Sequence, residues 1–95
     1  MIILHVFQTF ESHDDMVNYV NALYEAGIPQ NSRTEEGCHM YDYFFNRDRD
    51  NEMVLIEKWE NDESLKAHQS TDLFKTLPEI KAPYKIEVKF ERFDV

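Results

Sequence analysis

Four short segments of the chain are rich in apolar residues, and each has the length of a β-strand. Residues 2–10 are apolar at nearly every position, which predicts a strand that is covered on both faces. Residues 38–46 and 52–59 are similar and are joined by a charged segment at 47–51, as in a β-hairpin. In residues 84–93 apolar and charged positions alternate regularly, so this strand is predicted to have one solvated face and to lie at a sheet edge.

Apolar residues recur at helical spacing between the first two strands. Ser12 is a suitable N-cap for a helix that ends at Gly27. Pro29 does not fit inside an undisturbed helix, so residues 29–35 are predicted to be either a second short helix or a kinked continuation of the first.

A second helical region separates the third and fourth strands. Asn61 is a good N-cap, and Leu65 and His68 follow at a spacing of three, which places them on the same side of the helix. Residues 71–81 continue the helical pattern, and Pro78 is expected to limit or kink this piece.

The resulting order, βαββαβ, predicts an α+β fold of the ferredoxin-like plait type, with a four-stranded antiparallel sheet and helices on one side. At 95 residues, the chain is expected to be a single domain over residues 1–95. Two helical regions cover only one sheet face, yet three strands are apolar on both faces. The second face is therefore expected to pack against a second copy, giving a homodimer with a dimeric α+β barrel.

Composition narrows the range of partners. Nineteen Asp and Glu against ten Lys and Arg give a formal net charge of -9, which argues against nucleic acid and anionic membranes as partners. We expect neither a signal peptide nor a membrane span, and the single Cys38 has no partner for an internal disulfide. These features predict a cytoplasmic protein.

The sequence lacks two common cofactor-binding motifs. With only two glycines, the chain has neither a dinucleotide-binding fingerprint nor a phosphate-binding loop. The four histidines lack metal-ligand spacing, so no cofactor and no metal are predicted. The most conspicuous chemical feature is the pair of Trp59, at a strand end, and His68, on the next helix. Either residue alone is typical of packing, whereas a neutral imidazole beside an aromatic ring could take a proton from a phenol. Spacing alone leaves both interpretations open.

Three sequence blocks carry a family resemblance: SRTEEGCHMY at 32–41, IEKWE at 56–60 and LKAH at 65–68. Together they resemble the SR-x-E-x-GC-x-x-Y, E-x-W-E and L-x-x-H signature of the antibiotic biosynthesis monooxygenase (ABM) family, whose members include quinol monooxygenases. The resemblance implies dimeric ferredoxin-like barrels. It also implies oxidation of a small phenolic or dihydroxyaromatic substrate by molecular oxygen, without flavin, haem or metal.

The resemblance also suggests roles for particular residues. His68 would be the base or proton shuttle, and Trp59 an aromatic wall. Tyr41 and Tyr43 would orient the substrate oxygen, with Phe74 as a further substrate contact. Arg33 has two interpretations: it holds the developing phenolate, or, as we favour, it pairs with Glu36 or Glu57 and pins helix to strand.

The sequence also departs from its relatives. Many carry T-P-H after the helical histidine, whereas this chain has Leu73 in place of that second histidine. A haem-degrading branch uses an Asn on the first strand and a His on the last helix, where this chain offers Gln8 and Pro78. Two alternatives stay open: a non-catalytic dimer that binds small ligands, and an isomerase of a phosphorylated diketone whose phosphate would need Arg33 and Lys66.

Overall fold

The fold was analysed in a computed structural model that describes all 95 residues, Met1–Val95. The elements in chain order are β1 (Ile2–Phe10), α1 (His13–Glu25), α2 (Ile28–Thr34), β2 (Cys38–Phe45), β3 (Glu52–Trp59), α3 (Asp62–Gln69), α4 (Asp72–Lys75), α5 (Leu77–Lys81) and β4 (Ile86–Asp94). None of the helices is long and apolar enough to cross a membrane.

Local signals set the ends of the first two helices. The Ser12 side chain accepts a hydrogen bond from the backbone N–H of Asp15 at 3.1 Å, which confirms Ser12 as the N-cap of α1. Gly27 has a positive φ of 80° and separates α1 from α2, which has Pro29 in its first turn. The prediction of a separate second helix is therefore the correct alternative.

The predicted helical piece at 71–81 consists of two short helices. The Thr71 hydroxyl accepts a hydrogen bond from the N–H of Phe74 at 3.1 Å and caps α4. The helix is interrupted at Thr76. Pro78 lies in the first turn of α5, where its missing N–H costs no helical hydrogen bond. Pro78 thus limits the first piece, as the sequence indicates.

The four strands form one sheet in the order β2-β3-β1-β4, with antiparallel neighbours throughout. This is the predicted ferredoxin-like plait, and β4 lies at an edge as expected. β4 begins at Ile86, two residues later than predicted, because Tyr84 packs instead against Tyr19, with ring centroids 5.8 Å apart. A register irregularity between Cys38 and Met40 takes His39 out of regular pairing, so the side chains of β2 alternate regularly between the two sheet faces only from Met40 onward.

The helices cover one face of the sheet, and the hydrophobic core lies between the helices and that face. Two hydrophobic clusters fill this layer. The first contains Ile2, Val6, Tyr41, Leu55, Trp59 and Leu65, and the second contains Phe10, Met16, Tyr19, Leu23, Ile28 and Met53. Each large apolar side chain buried in this way contributes about 1.5–3 kcal/mol to stability.

The other face of the sheet has no helix over it. Strand register places Phe7, Val54 and Phe44 on this uncovered face. Phe7, on the central strand β1, and Phe44, on the edge strand β2, are 38% and 44% exposed. Apolar side chains therefore lie on both faces of the sheet, and the expected packing of a second copy over this face stays a prediction.

Candidate functional site

Helix α3 carries His68 on its buried side. The Asn61 side chain accepts a hydrogen bond from the N–H of Ser64 at 2.9 Å and fixes the start of the helix. Leu65 and His68 lie on the same side of α3, and both are buried. The sequence prediction for this face of the helix is confirmed, and it directs an imidazole into the layer between helices and sheet.

The His68 ring is held by a carboxylate from another helix. Its Nδ1 lies 2.6 Å from Oε1 of Glu35, the residue that follows α2, and the His68 side chain is only 3% exposed. A carboxylate only accepts hydrogen bonds, so in the neutral ring Nδ1–H donates to Glu35. Nε2 then keeps its lone pair and can accept a proton.

A second carboxylate lies on the other side of the ring. Oε1 of Glu57 is 4.0 Å from His68 Nε2, and it accepts a hydrogen bond from Trp59 Nε1–H at 3.0 Å. Burial raises the pKa of Glu57, while the Trp59 hydrogen bond and His68 act in the opposite direction. His68 therefore sits between two carboxylates in a mostly apolar layer.

Aromatic rings surround the imidazole. The ring centroids of Trp59, Phe74 and Tyr41 lie 4.6, 5.2 and 5.6 Å from that of His68. Tyr41 is in turn packed edge to face against Tyr43 at 6.1 Å. The structure thus brings five of the six predicted site residues into one cluster.

The tyrosine hydroxyls in this cluster stay protonated at neutral pH. Burial is the main cause that raises the pKa of Tyr41, Tyr43 and Tyr19, and the charge of Glu57 adds to the effect at Tyr41. A protonated phenol donates a hydrogen bond. These side chains are suited to bind an oxygen that carries developing negative charge.

A cavity of about 180 Å³ opens beside His68, between the sheet and the helices. Its polar lining residues are Gln8, Tyr19, Tyr41, Tyr43, Glu57, His68, Gln69 and Lys81. Its apolar lining residues are Leu4, Val6, Leu55, Phe74, Leu77, Val88 and Phe90. An apolar chamber with a few convergent polar groups is the usual form of a small-molecule site.

A larger depression of about 530 Å³ lies near the β2–β3 hairpin. Its lining is mostly polar or charged and includes Arg49, Glu52, Glu87 and Lys89, with no His, Tyr or Trp. The smaller cavity is the better candidate because only there do a buried imidazole and several phenols meet. No group of three or more His, Cys, Asp or Glu side chains is arranged to hold a metal ion.

Two predicted site residues are placed differently from expectation. Trp59 is fully buried and does not line the cavity, so it supports His68 and Glu57 from behind. Arg33 also lies outside the cavity: its Nε donates to the Tyr41 carbonyl oxygen at 2.9 Å, with Asp42 Oδ1 at 3.3 Å. The expected pairing of Arg33 with Glu36 or Glu57 is wrong, because Arg33 points along the outer edge of β2 toward Asp42 and the Tyr24 hydroxyl.

Sequence reasoning missed several residues of the site. Glu35 stands inside the SR-x-E block, so its position in the motif was the available signal. Gln8 is a polar residue on the inner face of β1, where Leu4 and Val6 are apolar. Tyr19 and Lys81 come from helices that lean over the sheet, and no local pattern marks them. Leu73 packs against the second core cluster.

The sequence profile of the family described as "Antibiotic biosynthesis monooxygenase" matches residues 3–79, which is most of the chain. The chain belongs to the ABM family. A curated relative from Bacillus subtilis (strain 168), "Putative monooxygenase YcnE", is 39% identical over 47 residues. That match spans 50% of this chain and 50% of the relative, so it covers only half the length of either protein.

Solved structures share the fold of this chain. A Bacteroides thetaiotaomicron VPI-5482 protein, described as of unknown function and "Possible Oxidoreductase", is 32% identical with a TM-score of 0.79, over 99% of this chain and 96% of that one. The "Putative antibiotic biosynthesis monooxygenase from Nitrosomonas europaea" is 19% identical with a TM-score of 0.86, over 100% of this chain and 98% of that one. At that identity, the second likeness concerns the fold alone.

Proposed function

We propose that this ABM protein is a monooxygenase that oxidises a quinol or another electron-rich phenol with molecular oxygen and without a cofactor. The observation that carries the proposal is the 2.6 Å hydrogen bond between His68 Nδ1 and Glu35, which directs Nε2 as a base in an aromatic cavity. Monooxygenase chemistry is also the activity named for the family and for the B. subtilis relative.

In the first step, His68 Nε2 takes the proton of the substrate hydroxyl. The Glu35 carboxylate stabilises the imidazolium that forms, as the third member of a nucleophile-base-carboxylate arrangement does. Hydrogen bonds from the Tyr41 and Tyr43 hydroxyls orient the phenolate oxygen. Phe74, Val6 and Leu55 exclude water from the aromatic ring.

In the following steps, the phenolate passes one electron to dioxygen, and the radical pair joins at a ring carbon that carries hydrogen. The imidazolium of His68 returns its proton to the peroxide. The ring carbon then loses its proton as the O–O bond breaks. One oxygen atom stays as the quinone carbonyl, and the other leaves as hydroxide, which joins the released proton as water.

The working unit of this proposal is a homodimer. The uncovered sheet face carries exposed Phe7, Phe44 and Phe93, and sheet-to-sheet packing of two copies would remove these side chains from water. The unpaired, partly buried Cys38 suits a reducing compartment such as the cytoplasm.

The two alternatives receive less support. An isomerase acting on a phosphorylated diketone would need a cationic phosphate site in the cavity. Neither Arg33 nor Lys66, the expected candidates, lines it, and Lys81 is the single Lys or Arg in its lining. A binding protein without turnover would use the same cavity, yet it would have no use for a base held by a carboxylate. The 2.6 Å His68–Glu35 contact therefore favours the enzyme.

Oxygen uptake tests the proposal. Protein purified in the presence of a chelator should consume oxygen with at least one of a panel of hydroquinones. The His68→Gln variant should be slower by roughly a hundredfold to ten-thousandfold, the usual contribution of a general base. The matched control is His39→Gln, because His39 is exposed and lies outside the cavity. Equal rates for wild type and His68→Gln would refute the role of His68.

A further inference from the structure

Gln8 has a buried side-chain amide whose oxygen accepts no hydrogen bond within the protein. It lies on the inner face of β1, is 6% exposed, and lines the same cavity as His68. Its Oε1 is buried and has no hydrogen-bond partner in the protein. A buried polar group without a partner costs free energy, so it calls for an explanation other than stability.

Strand register shows how far Gln8 lies from the proposed base. Leu4 pairs with Glu57, the carboxylate 4.0 Å from His68 Nε2, whereas Gln8 pairs with Met53. Four residues separate Leu4 and Gln8, which is about 13 Å along a strand that rises ~3.3 Å per residue. Gln8 and His68 therefore stand near opposite ends of the cavity along β1.

Between these ends the floor of the cavity is apolar apart from Tyr43. Val6 and Leu55 form a cross-strand pair, and Val88 and Phe90 extend the same surface on β4. Such a floor suits the face of an aromatic ring system. The volume of about 180 Å³ restricts the occupant to a small, narrow molecule.

We propose that the Gln8 amide binds a second polar group of the substrate, at the end remote from His68. The substrate class is then an elongated aromatic diol, such as a fused two-ring quinol, with a hydroxyl or carbonyl at each end. An amide both donates and accepts, so it suits the hydroxyl of a quinol and the carbonyl of its quinone alike. This inference rests on the proposed function only in assigning the reacting end of the substrate to His68.

A matched ligand pair tests the inference by binding alone. Calorimetry without oxygen compares a naphthol with the naphthalenediol that carries a hydroxyl at opposite ends of its two rings. Wild type should bind the diol about tenfold more tightly, the effect of one hydrogen bond. The Gln8→Met variant, which keeps the length of the side chain, should lose that preference. Equal affinity of wild type for both ligands, or a preference that survives in Gln8→Met, would overturn the inference.

Two controls make the result specific. Gln30→Met changes an exposed glutamine of α2 outside the cavity and should keep the wild-type preference. Ligand-free Gln8→Met should have a higher Tm than wild type, because it removes a buried amide oxygen without a partner. A lower Tm in a correctly folded variant would show that Gln8 serves stability and would count against the inference.

The outcome separates this inference from the proposed function. A diol preference that depends on Gln8, without oxygen uptake by any ligand, supports the Gln8 contact and removes the monooxygenase. Oxygen uptake that is equally fast with naphthol and diol, and unchanged in Gln8→Met, keeps the monooxygenase and removes the Gln8 contact.

Discussion

At the scale of single residues, His68 is set apart by its two carboxylate neighbours. Glu35 bonds to Nδ1 at 2.6 Å, and Glu57 lies 4.0 Å from Nε2. Glu57 is already engaged by Trp59 Nε1–H, so its nearer oxygen is partly satisfied. The ring thus has one firmly held nitrogen, Nδ1, whereas Nε2 lies 4.0 Å from Glu57, another residue of the cavity lining.

In the proposed mechanism Glu35 acts through His68, and a conservative change should reveal this positioning role. Glu35→Gln keeps the side-chain shape but removes the charge that stabilises the imidazolium. We expect kcat for hydroquinone oxidation to fall roughly tenfold to a hundredfold, the equivalent of a charge-assisted hydrogen bond worth about 1.5–3 kcal/mol. KM should stay nearly constant, because Glu35 does not line the cavity.

Steady-state kinetics at several pH values measure this effect. Glu36→Gln is the control, since Glu36 is the exposed neighbour of Glu35. A rise in KM with unchanged kcat would show that Glu35 supports binding rather than proton transfer.

The raised pKa of Glu57 should make the stability of the folded protein depend on pH. Burial raises its pKa in the folded protein, whereas the unfolded value is about 4.3. Between these values the folded state holds a proton that the unfolded state releases. The stability from protonated Glu57 is therefore complete below about pH 4 and is lost as pH rises through the folded pKa. Glu57→Gln removes this loss and keeps an acceptor for Trp59.

Urea unfolding at a series of pH values provides the measurement. The free energy of unfolding of Glu57→Gln should become larger relative to that of wild type as pH rises from about 4 toward neutrality, because wild type loses stability over this range and the variant does not. A difference that is constant with pH, or that grows toward acid, would contradict the buried-carboxyl account.

Sequence reasoning found part of this residue cluster. His68 and Trp59 were identified because they share one local strand-to-helix corner, and the two rings do pack together. Glu35 was missed as a partner because its contact with His68 forms only when α2 packs near α3. Trp59 was predicted as a cavity wall, but tertiary packing buries it behind Glu57.

At the scale of elements, Gly37 determines how closely β2 and α3 approach. Gly37 has a φ of +82°, and a Cβ there would lie 2.1 Å from Ser64 Oγ and 2.6 Å from Ser64 Cβ. Its carbonyl also accepts a hydrogen bond from the N–H of Glu60 at 2.8 Å. This close approach brings the start of α3, and with it His68, onto the sheet.

Two glycine substitutions should therefore differ in cost. Gly27→Ala and Gly37→Ala both place a side chain at positive φ, which costs about 1–2 kcal/mol. At Gly27 the new Cβ meets only the end of the Asn31 side chain at 3.0 Å, which can move. We expect Gly37→Ala to lower the free energy of unfolding clearly more than Gly27→Ala does, as measured by urea denaturation. Equal losses would mean that the Ser64 contact relaxes freely.

Most elements were predictable because their signals are local. The N-caps Ser12 and Asn61 and the proline that opens α2 each lie within one turn of the boundary that they set. The break at Thr76 and the irregularity after Cys38 were not located, since both depend on packing between elements that are distant in sequence.

In the molecule as a whole, the uncovered sheet face is the main apolar surface that the single chain leaves exposed to water. The strands that form this face are apolar, whereas β4 adds Glu87, Lys89 and Glu91 at its edge. The apolar pattern predicted this second face correctly. Pattern alone could not say which face holds the cavity, because both faces are apolar, and the structure places the cavity on the helix side.

The proposed homodimer predicts opposite results for two phenylalanines. Phe7 lies on the uncovered face and is 38% exposed, while Phe45 is 56% exposed but lies on the helix side. In sedimentation equilibrium we expect wild type and Phe45→Asp to be dimers and Phe7→Asp to shift toward monomer, because a carboxylate is costly to bury in an apolar interface. A monomeric wild type, or a stable Phe7→Asp dimer, would contradict this arrangement.

If His68 starts the insertion of one oxygen atom into a phenol, isotope-labelled dioxygen should leave its label in the product. Mass spectrometry of the quinone formed from a hydroquinone substrate should show one labelled oxygen atom, with the other in water. The His68→Gln variant should form little of this product. An unlabelled quinone accompanied by hydrogen peroxide would exclude oxygen insertion, and labelled product formed equally by wild type and His68→Gln would exclude His68 as the base.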